Sequence, residues 1–293
     1  MLSRASRILD FDGSLLLQPE LIRKHNPKII DFKFIGPDCR LWMSKKTSGK
    51  ISKQFEPADK NAITFLGSGD FHNISYLLVR QFTQPINVII FDFHPDWDIR
   101  LPKFGCGSWV SRVLEMPNVE KIIILGASSD DISSSAIRGG NLKEFFSGRV
   151  ELYPFRHSPT KISRSQTIQW KELEKENQGD FLAGILGKLK AQQVYVSIDK
   201  DCLNSQSALT NWEEGYLSLE YLLSALRLIK NKLDIVGLDI TGEYSPEEFA
   251  SRFKGLISRL DHPKSYSAKN KPQELINSIN QKTNLKILEA LFS

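Results

Sequence analysis

Seven short apolar runs rich in isoleucine and valine punctuate the chain, at residues 29–35, 62–66, 87–91, 121–125, 150–153, 194–198 and 235–238. Each gives way to polar or acidic residues. None alternates apolar and polar as a strand with one wet face does, which is the mark of strands buried on both sides. Helix-like stretches fall between them at 74–82, 108–116, 170–189 and 219–229, and a last one covers 274–291. This alternation predicts a three-layer, doubly wound, mostly parallel α/β sheet, because each crossover lays its helix on a face of the sheet. At 293 residues the chain is long enough to bury a full core around such a sheet. We read residues 1–293 as one domain with 1–60 and 261–293 peripheral to it, and 261–272 as a loop containing two prolines.

The formal charge of +5 is spread over scattered lysines and arginines, with no basic block and no interleaved aromatics, so no nucleic-acid partner is expected. Cys39, Cys106 and Cys202 show no CxxC spacing, which suits a reducing compartment. The opening MLSRASRILDFDG reaches two aspartates without an apolar signal region, and no apolar run approaches the ~20 residues of a membrane span. A cytoplasmic protein, away from membranes, is the expectation.

In parallel sheets ligands sit beyond the carboxyl ends of the strands. The third run closes as VIIFDFHPDWD, with Asp92, His94, Asp96 and Asp98 at alternate positions. If still extended, Asp92 and His94 leave the same face. Acidic residues often follow strands as turn and cap residues. Three carboxylates and an imidazole so close together, however, raise one another's pKa and call for a cation. The sixth run closes as VYVSIDKDCLN and repeats the spacing with Asp199 and Asp201, Lys200 falling on the opposite side. The second closes as ITFLGSGDFHNIS, where Gly67 and Gly69 permit a tight turn and His72 lies at the start of a helix. A lone histidine is more often structural. Together the segments form a mixed imidazole and carboxylate set suited to manganese, iron, cobalt or zinc rather than to a thiolate site.

The three segments GSGDFH, DFHPD and SIDKD resemble, in order and placement, the signature motifs of the arginase, agmatinase and formiminoglutamase family, the ureohydrolases. The resemblance runs from about residue 65 to 245 and implies an arginase-like fold. It implies two divalent ions, manganese first, with zinc, iron or cobalt as alternatives. His72, Asp92, Asp96 and Asp199 would hold one ion; Asp92, His94, Asp199 and Asp201 would hold the other. The implied reaction is hydrolysis of a non-peptide C–N bond in a small-molecule substrate, a guanidino, amidino or amide compound, by a metal-bridging hydroxide, with Asp201 or a nearby acid accepting its proton. Glu243, in GLDITGEYSP, resembles the family's guanidinium-binding glutamate, although one residue farther from Asp239. Cys106 stands near the family's proton-shuttling histidine, and Phe71 is an extra residue before His72. Many relatives are homo-oligomers, which leaves that option open.

Two further readings accompany this one. The chain could bind metal on an arginase-like scaffold with little or no hydrolase activity, since fold does not guarantee chemistry. ILDFDGSLL also resembles the first motif of haloacid-dehalogenase-type phosphatases, with Asp10 as nucleophile and Asp12 as acid. A short edge segment and turn is the simpler expectation there.

Overall fold

In the computed structural model, which describes residues 2, 5–175, 177–262, 266 and 268–292, the apolar runs become strands of one sheet. Its members are β1 (Ser6–Asp10), β2 (Lys28–Asp31), β3 (Ile63–Ser68), β4 (Ile86–Phe91), β5 (Val119–Leu125) and β6 (Val150–Tyr153). A small antiparallel pair follows, β7 (Thr160–Lys161) with β8 (Thr167–Ile168), and then β9 (Gln193–Asp199) and β10 (Asp234–Glu243) complete the sheet. The eight strands lie in the order β2-β1-β3-β10-β9-β4-β5-β6, and every neighbouring pair is parallel.

Successive residues of the inner strands feed opposite cores, so neither of their faces can be polar. On one side Ile89 and Phe91 join Leu222, Leu226 and Ile287 from the helices Leu219–Lys232 and Gln273–Phe292. On the other, Val88 and Ile90 join Leu78, Trp109 and Val113 from the short helices Ser75–Val79 and Trp109–Val113. Each such aliphatic side chain contributes ~1.5–3 kcal/mol on burial, which makes the sheet the most stable platform in the molecule.

The expected elements shorten where local hydrogen bonds compete. The strand expected over 29–35 stops at Asp31, whose Oδ1 accepts the Lys33 amide at 2.9 Å and turns the chain into a 3-10 helix, Lys33–Ile35. The helix expected over 170–189 is confined to Gln178–Leu186, after the β7–β8 pair and a 3-10 turn, Leu173–Lys175.

Among the described residues, both end segments contribute to the core. β1 is buried along its whole length between β2 and β3, instead of forming an edge segment. The last helix buries Ile287, Leu288 and Leu291 in the main core. Among the described residues, no helix is long and apolar enough to cross a membrane.

Candidate metal centre

The carboxyl ends of β3, β4 and β9 converge on one spot. Beyond β3, residues Gly69–Ile74 form a 3-10 helix, and its three-residue turn absorbs the extra Phe71. Phe71 enters the core and stacks on Phe11 at 5.0 Å. Asp70 turns to Arg40 (2.5 Å) and His262 (2.8 Å), leaving His72 aimed at the strand ends. Gly69 permits the close approach: a Cβ there would lie 2.9 Å from Asp199 Oδ2 and 3.0 Å from Trp212 Cδ1.

His72 Nδ1 faces three carboxylates, Asp96 Oδ2 at 2.9 Å, Asp92 Oδ2 at 3.2 Å and Asp199 Oδ2 at 3.6 Å. His94 Nδ1 lies 2.9 Å from Asp201 Oδ2 and 3.9 Å from Asp92 Oδ1. Ligand atoms of His72, Asp92 and Asp199, and those of Asp92, His94 and Asp201, each gather within 4.8 Å, with Asp92 common to both groups. Asp96 reaches in with backbone φ of 47°, an uncommon conformation for a residue bearing a side chain, and its Oδ2 also accepts the Trp109 indole N–H at 2.8 Å.

Hydrogen-bond accounting decides what this cluster is built for. Ser197 donates its hydroxyl proton to Asp239 Oδ1 at 2.7 Å, while the Tyr195 hydroxyl donates to Asp239 Oδ2 at 2.6 Å. With its proton spent, Ser197 Oγ accepts from His72 Nε2 at 2.9 Å. Neutral His72 therefore carries its proton on Nε2 and presents a bare lone pair on Nδ1 to three carboxylates. Acceptors facing acceptors repel unless a positive charge sits among them.

The electrostatics agree. Among the described residues, no lysine or arginine forms an ion pair with Asp92, Asp96, Asp199 or Asp201. The basic groups nearby are engaged elsewhere: Arg40 with Asp70 and Lys200 with Glu243. Burial, and then the neighbouring Asp96 and Asp201, push Asp92 well above the carboxylate range. Burial and Asp201 push Asp199 up to about 8. Burial works against charge on the two histidines, yet Asp92 and Asp96 raise His72, and Asp201 and Glu213 raise His94, well above the usual imidazole value. Negative charge is in excess here, and protons or metal cations are the two ways to balance it. The donor set, imidazole and carboxylate with no thiolate, suits a first-row divalent ion.

The sequence-derived residues divide. His72, Asp92, His94, Asp96, Asp199 and Asp201 come together. Cys106 lines the adjoining cleft, on the 3-10 helix Cys106–Ser108. Glu243 does not. A bulge in β10 and Gly242 at φ 85° shift its register, and Glu243 is buried away from the cleft against Lys200. Its two oxygens also accept from Asn284 Nδ2 (2.7 Å) and Gln18 Nε2 (2.9 Å), leaving no free face for a guanidinium. Asp10 and Asp12 serve turns: Asp10 accepts the Gly13 amide, and Asp12 accepts the Ser14 and Ser68 amides. Ser197, Asp239 and Glu213 were not singled out from sequence, although a lone aspartate inside the apolar GLDI run was a signal for Asp239.

The cleft beside the cluster has a volume of about 420 Å³ and is walled by Trp42, Trp97, Trp212, Leu101 and Ile257 together with Asp98 and Arg100. Residues 38–252 match the model of the arginase family. The chain belongs to the arginase family. It is 30% identical over 188 residues to an uncharacterized protein of Thermotoga maritima, an alignment covering 64% of this chain and 60% of that one. It is 29% identical over 183 residues to an arginase of Glycine max, covering 60% of this chain and 45% of that one. The chain thus aligns with about half the length of these curated relatives. In structure it is similar to the arginase of Bacillus subtilis subsp. subtilis str. 168, with a TM-score of 0.58, 12% identity and 99% of each chain covered.

Proposed function

We propose that this arginase-family chain is a binuclear-metal-dependent hydrolase of a non-peptide C–N bond in a guanidino, amidino or amide compound. The observation that carries the reading is the gathering of three carboxylates around Nδ1 of His72, whose ring is held from behind by the Ser197–Asp239 relay. His72, Asp92, Asp96 and Asp199 would hold one ion, and Asp92, His94, Asp199 and Asp201 the other. When bound, such a pair supplies an activated water and a Lewis acid for the electrophilic carbon.

The chain's own residues do the rest. Asp201, anchored through Oδ1 by the Phe93 amide at 3.1 Å, takes up the proton released by the nucleophile. Cys106, which borders the cleft, would be the group that passes a proton to the leaving nitrogen. Trp42, Trp212 and Leu101 exclude water and bury the uncharged part of the substrate. Arg100 clamps Asp98 with contacts of 2.8 and 3.0 Å, so the Asp98 charge is compensated at the rim. The capture of Glu243 by Lys200 favours a second reading, a metal-binding arginase-like protein with little or no hydrolase activity.

Elemental analysis of protein purified without chelator, alongside Asp92→Asn and Asp199→Asn, tests both. Two equivalents of a first-row metal, lost in both variants, with urea or ammonia released from guanidino or amidino compounds, support the hydrolase. Full metal content without turnover on any of them favours the second reading. Unchanged metal content in Asp92→Asn sinks the ligand assignment.

A further inference from the structure

The two imidazoles are held from behind in different ways. His72 leans on strand residues, through Ser197 and Asp239. Behind His94 stands Glu213, from the loop after β9, with Oε2 at 3.2 Å from His94 Nε2. That oxygen is sealed from solvent and makes no hydrogen bond among the described residues, His94 Nε2 at 3.2 Å being its ion-pair neighbour.

The loop that carries Glu213 is pinned on both sides. Asn211 donates to the Ser245 carbonyl at 2.9 Å, and Trp212 donates to Asp70 Oδ1 at 3.1 Å. The Gly215 amide binds the Asp201 carbonyl at 2.7 Å, and Trp212 packs edge-on against the His94 ring at 5.3 Å. The side chain is partly exposed, but its Oε2 is turned inward onto the imidazole rather than into solvent. His94 has one nitrogen toward Asp201 and Asp92 and the other toward Glu213, so the ring links a carboxylate to the metal side of the cluster.

We propose that Glu213 is a positioning residue that accepts the Nε2 proton of His94, fixing the tautomer in which Nδ1 is free to bind a metal ion. The inference rests on the metal reading above. A carboxylate behind a ligating histidine orients the ring and raises its basicity, and losing such a partner typically costs ~10–100-fold in metal affinity. The loss falls on the ion held by His94, because His72 keeps its own partner in Ser197. Glutamine at position 213 can still accept from Nε2, so Glu213→Gln retains part of the effect that Glu213→Ala loses.

The experiment uses the full chain, stripped with chelator and titrated with Zn²⁺ by calorimetry, for wild type, Glu213→Ala and Glu213→Gln. The same proteins, expressed with ¹⁵N-histidine and loaded with zinc, then report the His94 tautomer by long-range correlation. Expected is a ~10–100-fold weaker second site in Glu213→Ala, an intermediate value in Glu213→Gln, and an unchanged first site in both. The wild-type His94 signal should show a protonated Nε2, with a mixed or altered tautomer in Glu213→Ala. A merely structural role would lower the melting temperature without moving the tautomer, and that result overturns the proposal. Variants that bind both ions as wild type does overturn it too, leaving the metal site intact. Wild-type protein that takes up no zinc overturns the metal reading, and this inference with it.

Discussion

Glu243→Gln tests whether the late glutamate serves the fold or the reaction. Glu243 and Lys200 have side-chain exposures of 3% and 0%, and the pair is completed by Gln18 and Asn284. Removing the carboxylate charge leaves an ammonium buried beside neutral amides. Breaking a buried pair from one side costs ~3–5 kcal/mol, because the remaining charge has neither water nor counter-ion. An unfolding entropy of ~2.1 cal/mol/K per residue gives ~0.6 kcal/mol/K for a chain of this length, so the melting temperature should drop by ~5–8 °C. Burial already lowers the Lys200 pKa against the pull of Glu243. Without Glu243 the lysine sheds its proton more easily, so the loss should be larger at pH 6 than at pH 9. Adding Lys200→Met to Glu243→Gln should recover most of the loss, a coupling that differential scanning calorimetry on the four proteins reads directly. A Glu243→Gln protein that melts within a degree of wild type, yet has lost hydrolysis, would refute the structural assignment and return Glu243 to the active site.

Three other outcomes are expected. Asp199, pushed up to about 8 by burial and Asp201, binds a proton in the folded chain at pH values where the unfolded chain, near 3.8, does not. The metal-free fold should therefore lose stability as pH rises through that window, and added Mn²⁺ should restore it at the alkaline end, as melting curves across the range would show. His262, raised to about 9 by Asp70 against the effect of burial, adds a slope of the same sign that metal leaves in place. Ser197→Ala removes the acceptor behind His72 and should weaken the ion on that side by ~10–100-fold in a zinc titration, with the His94 side unaffected. Gly69→Ala puts a methyl 2.9 Å from Asp199 Oδ2 and should lower metal content while leaving circular dichroism native.

The legible parts of the sequence were those in which one residue type repeats at the period of the backbone. DFHPD and SIDKD could be read because alternate carboxylates at a strand end lie on one face, and β4 and β9 are indeed hydrogen-bonded neighbours. β1 could not be read, because only Ile8 and Leu9 are apolar. Arg7 is nevertheless buried, its Nε donating to Thr64 Oγ1 at 2.9 Å, so a polar residue occupies an interior strand by finding its partner across the sheet. The last helix was read as a helix but not as core, because Asn280 and Asn284 interrupt its apolar face. Both asparagines are buried and bonded, Asn280 to the Leu209 backbone and Asn284 to Glu243. Glu243 was misplaced because a bulge is a property of how two strands pair, and nothing within GLDITGEYSP announces it except Gly242. Glu213 belongs to no periodic pattern at all; its position depends on where the loop after β9 is pinned.

If the cluster holds two ions as proposed, the supports of the two histidines would make their positions inequivalent. The His72 ring is oriented by Ser197, Asp239 and Tyr195, all within β9 and β10, strands buried in the sheet and paired along their length. Orientation there is set when the sheet forms, so little ordering remains when an ion arrives. The His94 ring is backed by a loop glutamate whose placement depends on Trp212 and, through Asp70, on Arg40 and His262 at the far end of the chain. That loop is held by side-chain and turn contacts rather than by a strand ladder, so its hold on the ring is the weaker of the two. The ion beside His72 should therefore bind first and more tightly. His262→Ala, which loosens Asp70 two residues before His72 as well as Trp212 beside His94, should weaken both ions, the second more than the first.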